Sequence, residues 1–290
     1  MQKFLESSMA RVFQICACIS ILAILVISGF LFINGLPAIG TIGVGNFLFG
    51  TDWSPRNIPP SFELLPMILT SIYMTLGAIV IGVPVGIFTA VFLARVCPKP
   101  IYTVIKPVVN LLAGIPSVVY GFFGIVVIVP FVRGITRQLT GGGTGFTILT
   151  ASILLGIMIL PTIITISETA IRAIPNSYYE GALALGASHT RSVFFVVVPA
   201  AKSGILASVI LGIGRAVGET MAVVMVAGNQ ALMPTSILRG GRSLTSNIVL
   251  EMGYAHGLHR DALIATGVVL FAFIFIINVV FTALVGRKNQ

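Results

Sequence analysis

Long apolar runs, separated by short polar segments, dominate the pattern of hydrophobic and polar positions along this chain. Six runs are long enough to cross a bilayer as helices, since a span needs about 20 apolar residues. Their approximate bounds are 12–35, 67–95, 104–132, 147–170, 202–228 and 261–285. The runs do not alternate with polar positions, which argues against the strands of a membrane barrel. The pattern therefore predicts an all-α integral membrane protein.

Two of the runs have features that bear on how they fold. Glycine and proline at Gly114, Pro116, Gly121 and Gly124 interrupt the third run and predict a kinked or broken helix. The first run exceeds the apolar region of a signal peptide, which is about 7–15 residues long, so we expect an uncleaved first helix.

Small residues predict close packing between helices. Gly82 and Gly86 flank Pro84 in the second run, and Gly214 and Gly218 form a small pair in the fifth. Small side chains let helix backbones approach closely in lipid. We therefore expect another helix to approach both places.

Composition supports the membrane assignment and narrows the chemistry. Apolar residues make up 57% of the chain and charged residues only 9%, whereas a soluble domain has about 25% charged residues. The net charge of +9 comes without a lysine-rich tract, so nucleic acid is not an expected partner. The spacing of Cys16, Cys18 and Cys97 fits neither a metal site nor a disulfide, and no metal or cofactor is expected.

The distribution of lysine and arginine predicts the orientation. Ten basic residues lie in one set of segments: Lys3, Arg11, Arg95, Lys99, Lys106, Arg172, Arg191, Lys202, Arg287 and Lys288. Six lie in the opposite set: Arg56, Arg133, Arg137, Arg239, Arg242 and Arg260. The positive-inside rule then places both termini in the cytoplasm. Trp53 and Tyr254 would occupy the outer membrane interface, which such aromatic residues favour.

A pair of opposite charges lies inside the fifth run. Arg215 and Glu219 are four residues apart, so one continuous helix would place them on the same face. A charge at mid-bilayer costs about 2.5–3.5 kcal/mol on insertion scales, which makes a solute pathway the leading hypothesis. A buried ion pair that fixes helix packing is the alternative. Glu168 and Arg172 have the same spacing at a cytoplasmic helix end and predict a structural pair.

Two short helices are predicted in the cytoplasmic loop at 171–201. Pro175 ends the preceding helix, and Ser177 with Glu180 matches a capping box. Gly186 then allows a turn into a second short helix that contains His189. Several apolar residues of this loop need cover, namely Leu183, Leu185, Val193, Phe194 and Phe195. Either a partner covers them or the loop folds back onto the bundle.

The outer loops contain weaker signals. Residues 243–254 have apolar positions at helical spacing and predict a short helix at the outer surface, which either meets a partner or packs on its own bundle. The glycine-rich segment 141–145 lacks the following Gly-Lys-Ser/Thr of a phosphate-binding loop and predicts a turn. His256 and His259 are interpreted as surface loop residues.

The cytoplasmic loop resembles the EAA motif of ABC importer permeases. Glu180-Gly181-Ala182, then Gly186, then Val196-Val197-Val198-Pro199 follow its spacing, with Gly181, Val196 and Val198 departing from the usual residue types. In that family this loop is the coupling helix that docks on the ATP-hydrolysing subunit. The resemblance assigns docking to Glu180, Gly181, Ala182, Leu183, Gly186, Ala187 and Ser188.

Most of the chain resembles the phosphate-specific ABC importer permeases, and its layout is more similar to the PstC type than to the PstA type. The resemblance lies in 111–124, 180–188 and 214–223. It implies a six-helix MetI-like fold in the bacterial inner membrane and a heterodimer with a PstA-type permease. It also implies an ATP-binding cassette ATPase dimer, a periplasmic phosphate-binding protein, and no hydrolytic activity of the chain itself.

We divide the chain accordingly into a first helix with its outer loop at 1–66 and a five-helix core at 67–290. In this interpretation Arg215 contacts the phosphate, because a guanidinium matches its oxygens with paired hydrogen bonds, and Glu219 neutralises Arg215 when the path is empty. Two alternatives remain open. The same architecture could carry another oxyanion such as sulfate or molybdate, or the chain could be an ion-coupled secondary carrier, for which we find no internal repeat.

Overall fold

The computed structural model describes residues 2–286, and the chain is almost entirely helical. Met1 and 287–290 lie outside the described residues, so Arg287 and Lys288 of the orientation prediction are not placed. The helices are α1 (Gln2–Ile42), α2 (Val44–Phe49), α3 (Leu65–Val91), α4 (Lys99–Gly114), α5 (Ser117–Phe123), α6 (Val129–Thr140), α7 (Ile148–Arg172), α8 (Asn176–Ala184), α9 (His189–Ser192), α10 (Val198–Ala200), α11 (Lys202–Gly218), α12 (Met221–Val226), α13 (Leu244–Glu251) and α14 (Leu258–Gly286). Wider π-helical turns extend α3 and join α5 to α6 and α9 to α10: Phe92–Val96, Gly124–Ile128 and Val193–Val197. Two short antiparallel strands, β1 (Trp53–Ser54) and β2 (Ser61–Phe62), form a hairpin.

Five stretches of helix are long and apolar enough to cross a membrane. They are Met9–Ile42, Leu65–Val96, Ser117–Leu139, Ile148–Arg172 and Leu258–Val280. A sixth span results if α11 is joined to the helical segment His189–Ala200, from which it is bent by 68°. The prediction of an all-α membrane protein is confirmed, and its six spans are obtained when this bent pair is counted as one span.

The third predicted span, 104–132, is broken, as its glycine and proline residues predicted. Ile115 and Pro116 have extended backbone angles, and they separate α4 from α5. The residue before a proline is sterically excluded from the helical region, so the break follows from the sequence at this point. The span itself is formed by the helices that follow the break, and α4 is a separate helix beside it.

The fifth predicted span, 202–228, is also broken. Helix α11 ends at Gly218, and Glu219 has extended backbone angles (φ −70°, ψ 128°). The short helix α12 then begins at Met221. Unlike the break in the third span, this one contains no proline.

Helix α7 lies at the centre of the core and packs closely against α3. A Cβ atom at Gly82 would lie 2.7 Å from Cγ1 of Ile159, and one at Gly86 would lie 2.7 Å from Cγ2 of Ile163. The prediction of close packing at these glycines is confirmed. At Gly214 and Gly218 no other helix of the described chain approaches, because nothing in it lies within 4 Å of a Cβ atom built at either.

The helix predicted near 243–254 is present as α13. It does not lie on the outer surface of the bundle, and most of the residues that it buries are polar. Its buried residues are Leu244, Thr245, Ser246, Asn247 and Glu251, most of them polar, while Val249 is half exposed. Ser71 of α3 accepts a hydrogen bond from the Leu244 backbone N–H at 3.0 Å. The helix therefore packs inside its own bundle, which was the alternative interpretation.

Candidate functional site

Arg215 lies in α11 and faces the interior of the bundle. Its guanidinium, which has five N–H donors, makes one hydrogen bond to the described residues, to Thr162 Oγ1 of α7 at 3.4 Å. It also lies close enough to Tyr120 of α5 to interact electrostatically with the phenol. Arg215 is thus a half-buried cation between three helices, with most of its hydrogen-bonding capacity unused by residues 2–286.

Glu219 is not on the same helical face as Arg215, so that prediction is wrong. Because α11 ends at Gly218, the side chain of Glu219 turns toward the start of α12, where Oε1 accepts a hydrogen bond from the Ala222 N–H at 3.2 Å. Its backbone carbonyl accepts a hydrogen bond from Thr245 Oγ1 at 3.2 Å. Within residues 2–286 the two side chains form no ion pair.

Both polar and apolar residues lie next to Glu219 on its other side. A small cavity beside it is lined in part by Ser71 and Thr75 of α3 and by Ser243, the residue that caps α13. The hydroxyl of Ser243 accepts a hydrogen bond from the Ser246 N–H at 3.1 Å. Hydroxyl groups therefore lie beside the break in α11, and apolar side chains such as Met74 and Leu155 complete the cavity wall.

The predicted coupling helix is α8, and it projects from the bundle. None of its nine residues, all of which the structure describes, is buried. It begins at Asn176, one residue before Ser177, so the predicted capping box is wrong and Pro175 occupies the cap position. Glu180, Gly181 and Leu183 are exposed, and Ala182 is half-buried.

The turn after α8 has the geometry expected of its glycine. Gly186 has φ +84°, a left-handed conformation that only glycine adopts without strain. Ser188 then caps α9 by accepting a hydrogen bond from the Arg191 N–H at 3.4 Å, with Ala187 half-buried before it. The Tyr179 hydroxyl and His189 Nδ1 are 2.6 Å apart and join the two helices.

The apolar residues of this loop divide into two groups. Val193 is buried against the bundle, whereas Phe195 is 75% exposed and Leu185 is 91% exposed. The second helix therefore folds back in part, whereas α8 contacts the bundle through Tyr179 and the turn after it leaves Leu185 exposed. Leu185 and Phe195 are thus large apolar side chains that the described residues leave uncovered.

The predicted pair of Glu168 and Arg172 is present and belongs to a larger network. Arg172 Nε lies 2.8 Å from Glu168 Oε1, and Lys106 Nζ of α4 lies 2.7 Å from Glu168 Oε2. Tyr102 of α4 donates a further hydrogen bond to Glu168 at 2.8 Å. The network fixes α4 to the end of α7, and the partners in α4 were not predicted.

A second buried network lies at the opposite end of the bundle and was not predicted. Trp53 is 6% exposed, and its Nε1–H donates to Glu251 Oε2 at 2.9 Å, so its predicted interfacial position is wrong. His259 belongs to α14 and its Nε2 lies 2.8 Å from Glu251 Oε2, so it is not a surface loop residue. Arg242 forms an ion pair with the other oxygen of Glu251. The network joins the hairpin, α13 and α14.

Protonation of Glu251 is expected to lower the stability of the folded protein by weakening the network at this end. Burial by itself would raise the pKa of Glu251, but hydrogen bonds from Trp53, His259 and Arg242 outweigh burial and hold the pKa below 4.5. Because the folded-state pKa is lowered, the stabilisation is present above the unfolded value and is lost as the pH falls through the lowered value. Glu251→Gln should remove this pH-dependent loss and lower stability at neutral pH by about 3–5 kcal/mol, since it leaves Arg242 without its counter-charge.

Thermal unfolding of the purified protein between about pH 3 and pH 7 measures this effect. Asp261→Asn, which removes an exposed carboxylate at the start of α14, is the matched control and should keep the wild-type profile. An unchanged pH profile in Glu251→Gln would contradict the assignment.

Comparison with known proteins adds independent information. The family model described as "Binding-protein-dependent transport system inner membrane component" matches residues 82–290. The chain is similar to the "Probable ABC transporter permease protein YqgH" of Bacillus subtilis, at 38% identity over 94% of this chain and 89% of the relative. It is similar to the "Phosphate transport system permease protein PstC" of Mesorhizobium japonicum, at 34% identity over 85% of this chain and 80% of the relative.

Solved structures give the same fold. A structure of the MetNI methionine ABC transporter in an inward-facing conformation has a chain with a TM-score of 0.56 and 21% identity, covering 77% of this chain and 93% of that one. A bacterial ABC transporter that imports alginate has a TM-score of 0.57 and 15% identity, covering 78% of this chain and 80% of that one. At these identities the likeness concerns the fold.

Proposed function

The chain belongs to the family of binding-protein-dependent transport system inner membrane components, and from this premise we propose that it conducts inorganic phosphate. It is a permease subunit of an ABC importer with the MetI-type fold, and ATP hydrolysis takes place in partner subunits. The proposal concerns the solute, the residues of the path and the identity of the partners.

Arg215 is the observation that carries the choice of an anion. It is the one basic residue of 203–228, it faces the interior of the bundle, and it makes a single 3.4 Å hydrogen bond to the described residues. A guanidinium binds tetrahedral oxyanions through paired, charge-assisted hydrogen bonds. Relatives named PstC, at 34% and 32% identity, support phosphate within that class.

Glu219 borders the same path in this proposal. Its carboxylate lies at the break after α11, where it holds the first turn of α12, and the hydroxyls of Ser71, Thr75 and Ser243 lie around it. A negative group here would keep anion binding weak enough for release. The break gives Glu219 a position that one continuous helix would not.

Partner ATPases drive the transport by alternating access. An ATP-binding cassette dimer docks on α8 and the turn after it, through Glu180, Gly181, Ala182, Leu183, Gly186, Ala187 and Ser188. The exposure of α8 and of Leu185 supports this role.

A PstA-type permease completes the path, and a periplasmic phosphate-binding protein delivers the anion. Both termini lie in the cytoplasm, 1–66 form a first helix with its outer loop, and 67–290 form the transport core.

Competition between oxyanions tests the solute. Uptake of labelled phosphate by the reconstituted complex should be blocked by unlabelled phosphate and should resist an excess of sulfate or molybdate. Equal competition by sulfate would show that the path accepts a broader class of oxyanions and is not specific for phosphate. Uptake by the purified chain alone, powered by an ion gradient, would instead support the secondary carrier.

A further inference from the structure

Arg95, at the end of the π-helical turn that extends α3, reaches across to the coupling helix. Its Nη1 donates to Asn176 Oδ1, the first residue of α8, at 3.0 Å. Its Nη2 donates to the backbone carbonyls of Ile171 and Ile174 at 3.0 Å each. One guanidinium thus binds the end of α7, the segment after it and the start of α8.

A second arginine makes the reverse connection. Arg172, at the end of α7, donates from Nη2 to the carbonyl of Leu93 at 2.7 Å. Leu93 lies in the π-helical turn of α3, where the wider hydrogen-bonding pattern disturbs the regular ladder of carbonyls. Each helix therefore donates an arginine to backbone carbonyls of the other, and we name this arrangement the arginine clamp (Arg95 and Arg172 with their carbonyl partners).

The clamp lies at the junction of α3, α7 and α8. Helices α3 and α7 pack against each other through Gly82 and Gly86. Further along α7, Thr162 accepts the hydrogen bond from Arg215. The start of α8 is thus connected through Arg95 to the two helices that pack together beside the path, and one of them contacts Arg215.

We propose that the arginine clamp transmits movement of the coupling helix to α3 and α7, with Arg95 as the positioning residue and Asn176 as its contact on α8. This inference rests on the proposed docking of an ATPase on α8. The cation also stabilises the carbonyl end of α7, so the test has to separate transmission from simple helix capping.

Asn176 makes that separation possible. Asn176→Ala removes only the bond to α8 and leaves both carbonyl bonds of Arg95 in place, whereas Asn176→Asp keeps an acceptor oxygen. In the full transporter, reconstituted with its ATPase, second permease and binding protein, the ATP consumed per phosphate moved should rise about tenfold in Arg95→Gln, since hydrogen bonds to a charged group are lost. It should rise about threefold in Asn176→Ala and return close to the wild-type value in Asn176→Asp.

A distance measurement gives a readout that needs no solute. Spin labels at the exposed positions Ser177 and Val96 report the separation of α8 from the end of α3, in a chain whose three cysteines are replaced. The separation should stay constant between ATP-free and ATP-bound wild-type complexes and should change on ATP binding in Asn176→Ala.

The outcomes distinguish the two proposals. If the wild-type complex moves no phosphate, phosphate is refuted as the solute. The clamp is still supported in that case if the label separation stays constant in the wild type and changes on ATP binding in Asn176→Ala. A normal ATP-to-phosphate ratio in Asn176→Ala, together with a separation as constant as in the wild type, would overturn the clamp. If Arg95→Gln does not assemble, the Asn176 variants decide alone.

Discussion

Replacing Arg215 by glutamine is expected to reduce phosphate uptake by at least about 100-fold, because two charge-assisted hydrogen bonds to the anion disappear. Assembly and basal ATPase activity should survive. The only hydrogen bond that Arg215 makes to the described residues is the long one to Thr162, and a neutral glutamine, whose side chain is shorter, leaves no buried charge at this position. Uptake by the reconstituted complex, measured beside its ATPase activity without substrate, tests this prediction.

Three further variants test whether the loss of phosphate uptake is caused by the loss of the Arg215 guanidinium. Arg215→Lys keeps the charge but not the planar fork of donors, so uptake should recover only in part. Glu219→Gln retains an acceptor for the Ala222 N–H, so the first turn of α12 stays intact and any change in uptake reports the charge. Arg137→Gln, at an exposed arginine of α6, should transport normally. Wild-type uptake in Arg215→Gln would refute the proposed path.

A negative charge at Leu185 is expected to prevent docking of the ATPase without unfolding the permease. Leu185 is 91% exposed in the turn after α8, so its side chain contributes little to the stability of the chain itself. Covering it with a partner would bury an apolar side chain, which is worth about 1.5–3 kcal/mol. Leu185→Glu should therefore weaken ATPase binding by about 10- to 100-fold, the equivalent of that free energy.

Co-purification of the ATPase and the thermal stability of the permease are the two measurements. Ile58→Glu is the matched control, because Ile58 is a fully exposed aliphatic residue in the loop between the two short strands, at the other end of the molecule. It should bind the ATPase as the wild type does. If Leu185→Glu also retains the ATPase, the docking surface lies elsewhere.

The hydrophobic pattern was sufficient to find the apolar runs because each run is a local property. Apolar length decides whether a helix can cross a bilayer, and no distant contact is needed to recognise it. The break before α5 was equally visible, since Pro116 excludes Ile115 from the helical region. The turn at Gly186 was predictable for the same reason: a left-handed backbone position favours glycine.

The break after α11 had no such local signal. Gly218 is tolerated inside membrane helices, and the four-residue spacing of Arg215 and Glu219 predicted a shared face. In the structure the Thr245 hydroxyl, 26 residues further along the chain, donates to the backbone carbonyl of Glu219, and the Glu219 side chain accepts the Ala222 N–H. The four-residue spacing predicts a shared face only on an unbroken helix, so it predicted the wrong orientation of Glu219 relative to Arg215.

What the sequence by itself determined is the membrane class, the spans, the arginine inside the fifth run and the exposed loop that resembles a coupling helix. What only the tertiary structure decided is which polar groups meet. Trp53 and Glu251 are 198 residues apart in the chain, and Arg95 meets Asn176 across 81 residues. Hydrogen bonds between such distant residues depend on the packing of whole helices, and that packing is not encoded in any local spacing of residue types.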